Sequence, residues 1–91
     1  MDKKAYRDKQ EAQLKEWQAE IDKKKAQADK KSAEAKIAYQ KQIEQLEKKK
    51  QEASDNLKSL QEVSEEKWEE ARREYEKRAD EFMDKLKNMK P

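Results

Sequence analysis

The segment YQKQIEQLEKKKQEASDNLKSL, residues 39–60, decides the fold class. Its large apolar residues Tyr39, Ile43, Leu46, Leu57 and Leu60 follow helical spacing, with Lys, Gln and Glu between them. Residues so spaced share one face of an α-helix. The same stripe extends back through Tyr6, Leu14, Trp17, Ile21, Ala28 and Ala35, and forward through Trp68, Ala71, Tyr75, Ala79, Phe82, Leu86 and Met89. With its polar members counted, the stripe advances about 3.61 residues per step, between the 3.5 of a heptad seam and the 3.67 of an eleven-residue repeat. It therefore barely drifts around a straight helix, and any supercoil is weak.

Polar residues occupy the stripe at Gln10, Lys24, Ser32, Lys50 and Ser64. A tightly specified zipper seldom carries so many, so the helices are expected to meet in patches. The residues expected to make those contacts are Leu14, Trp17, Ile21, Tyr39, Ile43, Leu46, Leu57, Leu60, Trp68, Tyr75, Phe82 and Leu86. A second series, Ala5, Ala12, Ala19, Ala26 and Ala33, keeps a spacing of seven on a different face. It favours helix, and it also offers a thin face to which another helix can come close.

Composition agrees with a helical chain. The 91 residues include no Gly, no Cys, no His and one Pro, and 51% are charged. Only 32% are hydrophobic and many of those are alanines, so large core-forming groups are scarce. Such a balance also describes disordered chains. The abundance of Ala, Glu, Lys, Gln, Arg and Leu, all strong helix formers, and the regular spacing argue for helix instead. Six acid-before-base pairs four residues apart add support: Glu11–Lys15, Glu20–Lys24, Glu44–Lys48, Glu69–Arg73, Glu74–Arg78 and Glu81–Lys85.

Two places invite an interruption. Ser54, Asp55 and Asn56 form the poorest helical stretch, costing roughly 1.5–2 kcal/mol against alanine, which permits a turn without forcing one. Ser64 reads as an N-cap, with Glu65 and Glu66 in the first turn and Val63 and Trp68 placed as a hydrophobic staple. Lys85, Lys87 and Lys90 suit the negative end of that last helix, and Pro91 closes it. The organisation expected is one unit over 1–91: a basic long helix over 4–53, a turn or kink within 54–64, and an acidic amphipathic helix over 65–89.

Charge is segregated along the chain. Residues 23–50 hold 10 basic and 4 acidic side chains, whereas 62–84 hold 5 and 10. An antiparallel arrangement sets these blocks opposite each other. A hairpin of a ~75 Å arm and a ~50 Å arm leaves the start of the longer one overhanging. That overhang contains Leu14, Trp17 and Ile21, so burial of Trp17 is expected to come from a second chain.

The residues Tyr6, Ala12-Gln13-Leu14, Glu16-Trp17, Ala19-Glu20-Ile21-Asp22, Tyr39, Gln42-Ile43-Glu44, Leu46, Leu57, Leu60, and Ser64 before Trp68 together resemble a group of short bacterial coiled-coil domain-containing proteins. The likeness covers most of residues 6–68. It departs at Glu65, where those proteins often have Gly, and at Ala79, where they often have a second Trp. It implies a bacterial cytosolic coiled-coil protein and supplies no activity, cofactor or site residue.

Other functions find less support in the residues. The serines have no His to activate them, no Gly-rich segment cradles phosphate, and carboxylates on solvated helix faces lack the dry pocket that acid–base catalysis needs. No enzyme activity, cofactor or dedicated metal site is expected; Glu65-Glu66 with Glu69-Glu70 offer at most a loose hold on a divalent ion. On one continuous helix, Lys23-Lys24-Lys25 and Lys48-Lys49-Lys50 would share a face about 37 Å apart, yet interleaved acids and a net charge of only +2 disfavour nucleic acid. Trp68, Tyr75, Phe82 and Met89 recur every seven residues and suit a membrane surface, against which the acidic charge of 62–84 weighs. No apolar run reaches the ~20 residues of a membrane span, and Met1-Asp2-Lys3-Lys4 leads into no signal-peptide core, so a cytoplasmic location is expected.

The expected fold is all-α: long amphipathic helices in a coiled coil, two unequal antiparallel helices, with one continuous helix or a three-helix bundle as alternatives. The expected function is structural or scaffolding, through helix–helix contact with itself as a homo-oligomer or with another helical protein. Binding to a membrane surface is the alternative.

Overall fold

Ser32 and Ser64, two of the polar interruptions of the stripe, stand where the chain turns. In the computed structural model, which describes residues 3–89, the helices are α1 (Lys3–Ala28), α2 (Ala33–Leu60) and α3 (Glu65–Asn88). Both serines are N-caps in extended conformation, at φ −61°, ψ 160° and φ −68°, ψ 162°. The Ser32 hydroxyl accepts from the Ala35 amide at 3.5 Å, a long bond, and the Ser64 side chain makes no cap bond. Neither turn uses a positive φ, as suits a chain without glycine.

The long helix expected over 4–53 is thus two helices, and within the 54–64 expected to hold a turn or kink, residues 54–60 stay helical and the chain turns at 61–64. α2 runs through Ser54, Asp55 and Asn56 because the side chains of Asp55 and Asn56 find partners within the helix and the neighbours of all three are held by packing. Gln51 donates to Asp55 at 2.9 Å, and the Asn56 side chain donates to the Glu52 carbonyl at 3.1 Å. Ala53 and Leu57, on either side, are buried. That tertiary packing outweighs a propensity cost of about 2 kcal/mol.

The three helices are similar in length, roughly 36–42 Å each, and lie side by side in a body of 51 × 18 × 17 Å. The Cα radius of gyration is 15.2 Å, where a compact globule of this length would have about 12 Å, so the body is a short rod. Every buried residue lies on the stripe: Leu14, Trp17, Ile21 and Ala28 from α1; Tyr39, Ile43, Leu46, Ala53, Leu57 and Leu60 from α2; Trp68, Tyr75 and Phe82 from α3; and Met89 just beyond it. No polar or charged residue is buried among the described residues. With three helices there is no overhang. Trp17, expected to need a second chain, is 3% exposed within one.

Partners across the helices fix their heights. Arg7 reaches Gln61 at 3.1 Å, Tyr39 reaches Gln27 at 2.9 Å and Lys25 meets Glu47 at 3.4 Å, joining α1 to α2 and to the turn that follows α2. Lys49 meets Glu81 at 2.8 Å and Lys85 meets Gln45 at 3.3 Å, joining α2 to α3. Among the described residues, Glu74–Arg78 at 3.5 Å is the one ion pair formed of the six expected along the helices; Glu11, Glu20 and Glu69 pair instead with Arg7, Lys23 and Arg72 on their own helices. Glu81 and Lys85 turn instead to α2.

Candidate functional site

α1 and α3 have no Cα atoms within 8 Å of each other among the described residues, whereas both approach α2 closely. Aromatic side chains fill the gap. Trp17 stacks on Phe82 with centroids 4.3 Å apart and planes at 18°. Tyr6 stands edge-on to Trp68 at 5.4 Å and to Tyr75 at 6.3 Å. Such pairs contribute about 0.5–1.5 kcal/mol beyond the area they bury. Ala28 of α1 and Ala53 of α2 are also buried.

Charged and polar groups clamp the open end of this seam. Lys3 donates to the Val63 carbonyl at 3.2 Å and lies 5.5 Å from the Trp68 ring centre, so the first turn of α1 holds the turn between α2 and α3. Tyr6 donates to Glu76 at 3.4 Å, and Arg72 binds Glu76 at 2.7 Å and Glu69 at 2.6 Å. Burial, reinforced by the Glu76 charge, pushes the Tyr6 hydroxyl up to about 12. Burial also raises Tyr75, whose hydroxyl has no hydrogen-bond partner among the described residues; the Trp68 indole N–H is likewise unpaired. The Arg72 hydrogen bond holds the Glu69 carboxyl below its ordinary value.

A second cluster lies between α2 and α3. Lys49 sits between Glu81 and Glu52, and Arg78 lies within 4 Å of Glu52, Glu74 and Glu81. Hydrogen bonding to Lys49 lowers the Glu81 carboxyl, and the same bond raises Lys49. These groups stay partly exposed, so the cluster fixes register more than it adds stability.

Compared with family models, with curated proteins and with solved structures, the chain matches none. What the arrangement can do is therefore argued from its residues.

Of the twelve contact residues named from the sequence, eleven are buried in a common core and Leu86 packs against it partly exposed. Sequence reasoning passed over Ala28, Ala53 and Met89, which are buried, and Tyr6, which packs against the core partly exposed, although all four lie on the stripe. Their signal was phase alone. Ala5, Ala12, Ala19, Ala26 and Ala33 are all exposed, so this thin face is not part of the core.

The lysine triplets are not 37 Å apart on one face. The turn at Ser32 brings them to a similar height on adjacent helices, where Lys25 pairs with Glu47, Lys23 with Glu20, and Lys49 with Glu52 and Glu81. Trp68, Tyr75 and Phe82 point inward, so the face of α3 that suits a lipid surface is occupied by α1 and α2. No helix of the described residues is long and apolar enough to cross a membrane. Among the described residues no group of three or more carboxylates is placed to hold a metal ion. Large apolar groups left outside are Ile37, 59% exposed, and Met83, 46% exposed. The expectations for Lys90 and Pro91 lie outside the described residues.

Proposed function

We propose that this chain is a structural, scaffolding protein that works through helix–helix contacts, with its helices running up, down and up as a short antiparallel coiled coil. The observation that carries this reading is that the buried residues are apolar, belong to one stripe, and serve contact between helices. Ion pairs around that core, Lys25–Glu47 and Lys49–Glu81, suit a role in orientation. Outside it the surface is charged and mixed in sign, with Ile37, Met83 and the alanine series left for further contact. The partner is another helical surface, that of a second copy in the first instance. The likeness to bacterial coiled-coil domain-containing proteins, and with it a cytoplasmic setting, belongs to the same proposal.

Sedimentation velocity over a wide concentration range tests this. Reversible formation of larger species as concentration rises supports contact between copies. A monomer of 11.0 kDa at every concentration contradicts it.

A further inference from the structure

We propose that α1 exchanges between two copies of this chain, the turn at 29–32 opening so that the α1 of each copy packs on α2 and α3 of the other. The proposal rests on the reading that the chain acts through contact with a second copy, and it names the means.

The turn is close to being a helix already. It contains no glycine and no proline, and no residue in it has a positive φ. Lys30 and Lys31 still donate to the carbonyls of Gln27 and Ala28, three residues back, at 3.1 Å each. At Ser32 the φ of −61° is helical and only the ψ of 160° departs from the roughly −42° of a helix. Within the turn the closed form is held by a 3.5 Å cap bond, the exposed Asp29–Lys36 pair at 3.3 Å and Lys31 lying 4.6 Å from the Tyr39 ring centre, and across it by the 2.9 Å Tyr39–Gln27 bond, which an exchanged α1 can make equally. The flanking residues, Ala26, Gln27, Ala28, Ala33 and Ala35, are mostly strong helix formers.

Straightening this turn preserves the core pattern. Ala28 and Tyr39 are eleven residues apart, about three helical turns, so on one helix over 3–60 they and Leu14, Trp17, Ile21, Ile43 and Leu46 share a face. That helix would be about 87 Å long. The turn at 61–64 is a poorer place to open, because Val63 packs against the core and Lys3 and Arg7 bind Val63 and Gln61.

The occupant follows from shape. When α1 leaves, Trp68, Tyr75 and Phe82 lose the rings that cover them, and another α1 supplies a Tyr for Trp68 and a Trp for Phe82 at the required separation. The same contacts are then made between copies as within one, which is the condition for exchange of an identical element. Concentration and the turn decide the balance.

Two variants test this by sedimentation velocity and small-angle scattering. Ala33→Pro places proline at the first position of α2, where it is tolerated, after a residue that already has the extended ψ it requires; a helix running through the turn would be broken there. Asp29→Ala with Ser32→Ala favours the straight helix. The expected result is a dimer share several-fold above wild type in the double-alanine variant, and a monomer with wild-type helicity for Ala33→Pro. Wild-type dimers should also dissociate on dilution no faster than the chain unfolds. Dimerisation of Ala33→Pro equal to wild type, or dissociation at once on dilution, overturns exchange while leaving contact between copies intact. A double-alanine variant that stays monomeric at all concentrations overturns exchange, and a monomeric wild type overturns the contact reading with it.

Discussion

Trp17 and Phe82, from the first and third helices, stack with ring centroids 4.3 Å apart and planes at 18°, both nearly inaccessible to solvent. Because the backbones of α1 and α3 stay apart, this pair is a principal tie between them. Trp17→Ala or Phe82→Ala is expected to destabilise the fold by about 3–5 kcal/mol, with a coupling of about 0.5–1.5 kcal/mol in the double-mutant cycle. Denaturant midpoints measure both. In a Trp68→Phe background, Trp17 emission should be blue-shifted and independent of concentration.

The Tyr75 hydroxyl is buried without a partner among the described residues, inside the aromatic seam between α1 and α3. An unsatisfied buried polar group costs about 1–3 kcal/mol. Tyr75→Phe keeps the ring and removes that cost, so the denaturant midpoint should rise by the equivalent of about 1 kcal/mol with an unchanged slope. A fall would mean that the hydroxyl is paired in solution.

Alkali should loosen the same end of the seam, where Tyr6 lies 6.3 Å from Tyr75. The Tyr6 hydroxyl is raised from 10.0 to about 12 by burial first and by Glu76 next, with Arg72 acting against them. A group whose folded value is raised contributes its stability in full below the unfolded value and loses it as pH rises through the folded one. Stability should therefore be level up to about pH 10 and fall as pH rises through about 12, and Tyr6→Phe should reduce that fall, the buried Tyr75 and Tyr39, which are also raised, supplying the remainder. Thermal midpoints across this window, with tyrosinate absorbance, give the measurement.

The helical class was legible in the phase of Tyr39, Ile43, Leu46, Leu57 and Leu60, which needs no tertiary information. The turn at Ser32 was also written there. Ser32 precedes Glu34 much as Ser64 precedes Glu65 and Glu66, and both serines interrupt the apolar stripe. It was passed over because alanines and lysines surround it, and local propensity cannot tell a straight helix from a turn that differs from it by so little. Conversely, Ser54, Asp55 and Asn56 look like a break locally and are carried through by Ala53 and Leu57, whose burial belongs to the whole bundle. Which rings meet across α1 and α3 depends on the heights of three helices, and spacing along one does not contain that.

Asn56→Ala tests the uninterrupted α2. In a helix interior alanine is favoured over asparagine by about 0.5–0.7 kcal/mol, partly offset here by loss of the Asn56 bond to the Glu52 carbonyl. The expected result is unchanged or slightly raised stability and helicity. A marked loss of stability would mean that residues 54–56 form a turn.

Small-angle X-ray scattering at the lowest workable concentration tests the three-helix rod most directly. A monomer with a radius of gyration close to the 15.2 Å of the Cα positions is the result this fold predicts. A monomer of about 20 Å or more, the value for a hairpin with a 75 Å arm, would contradict it.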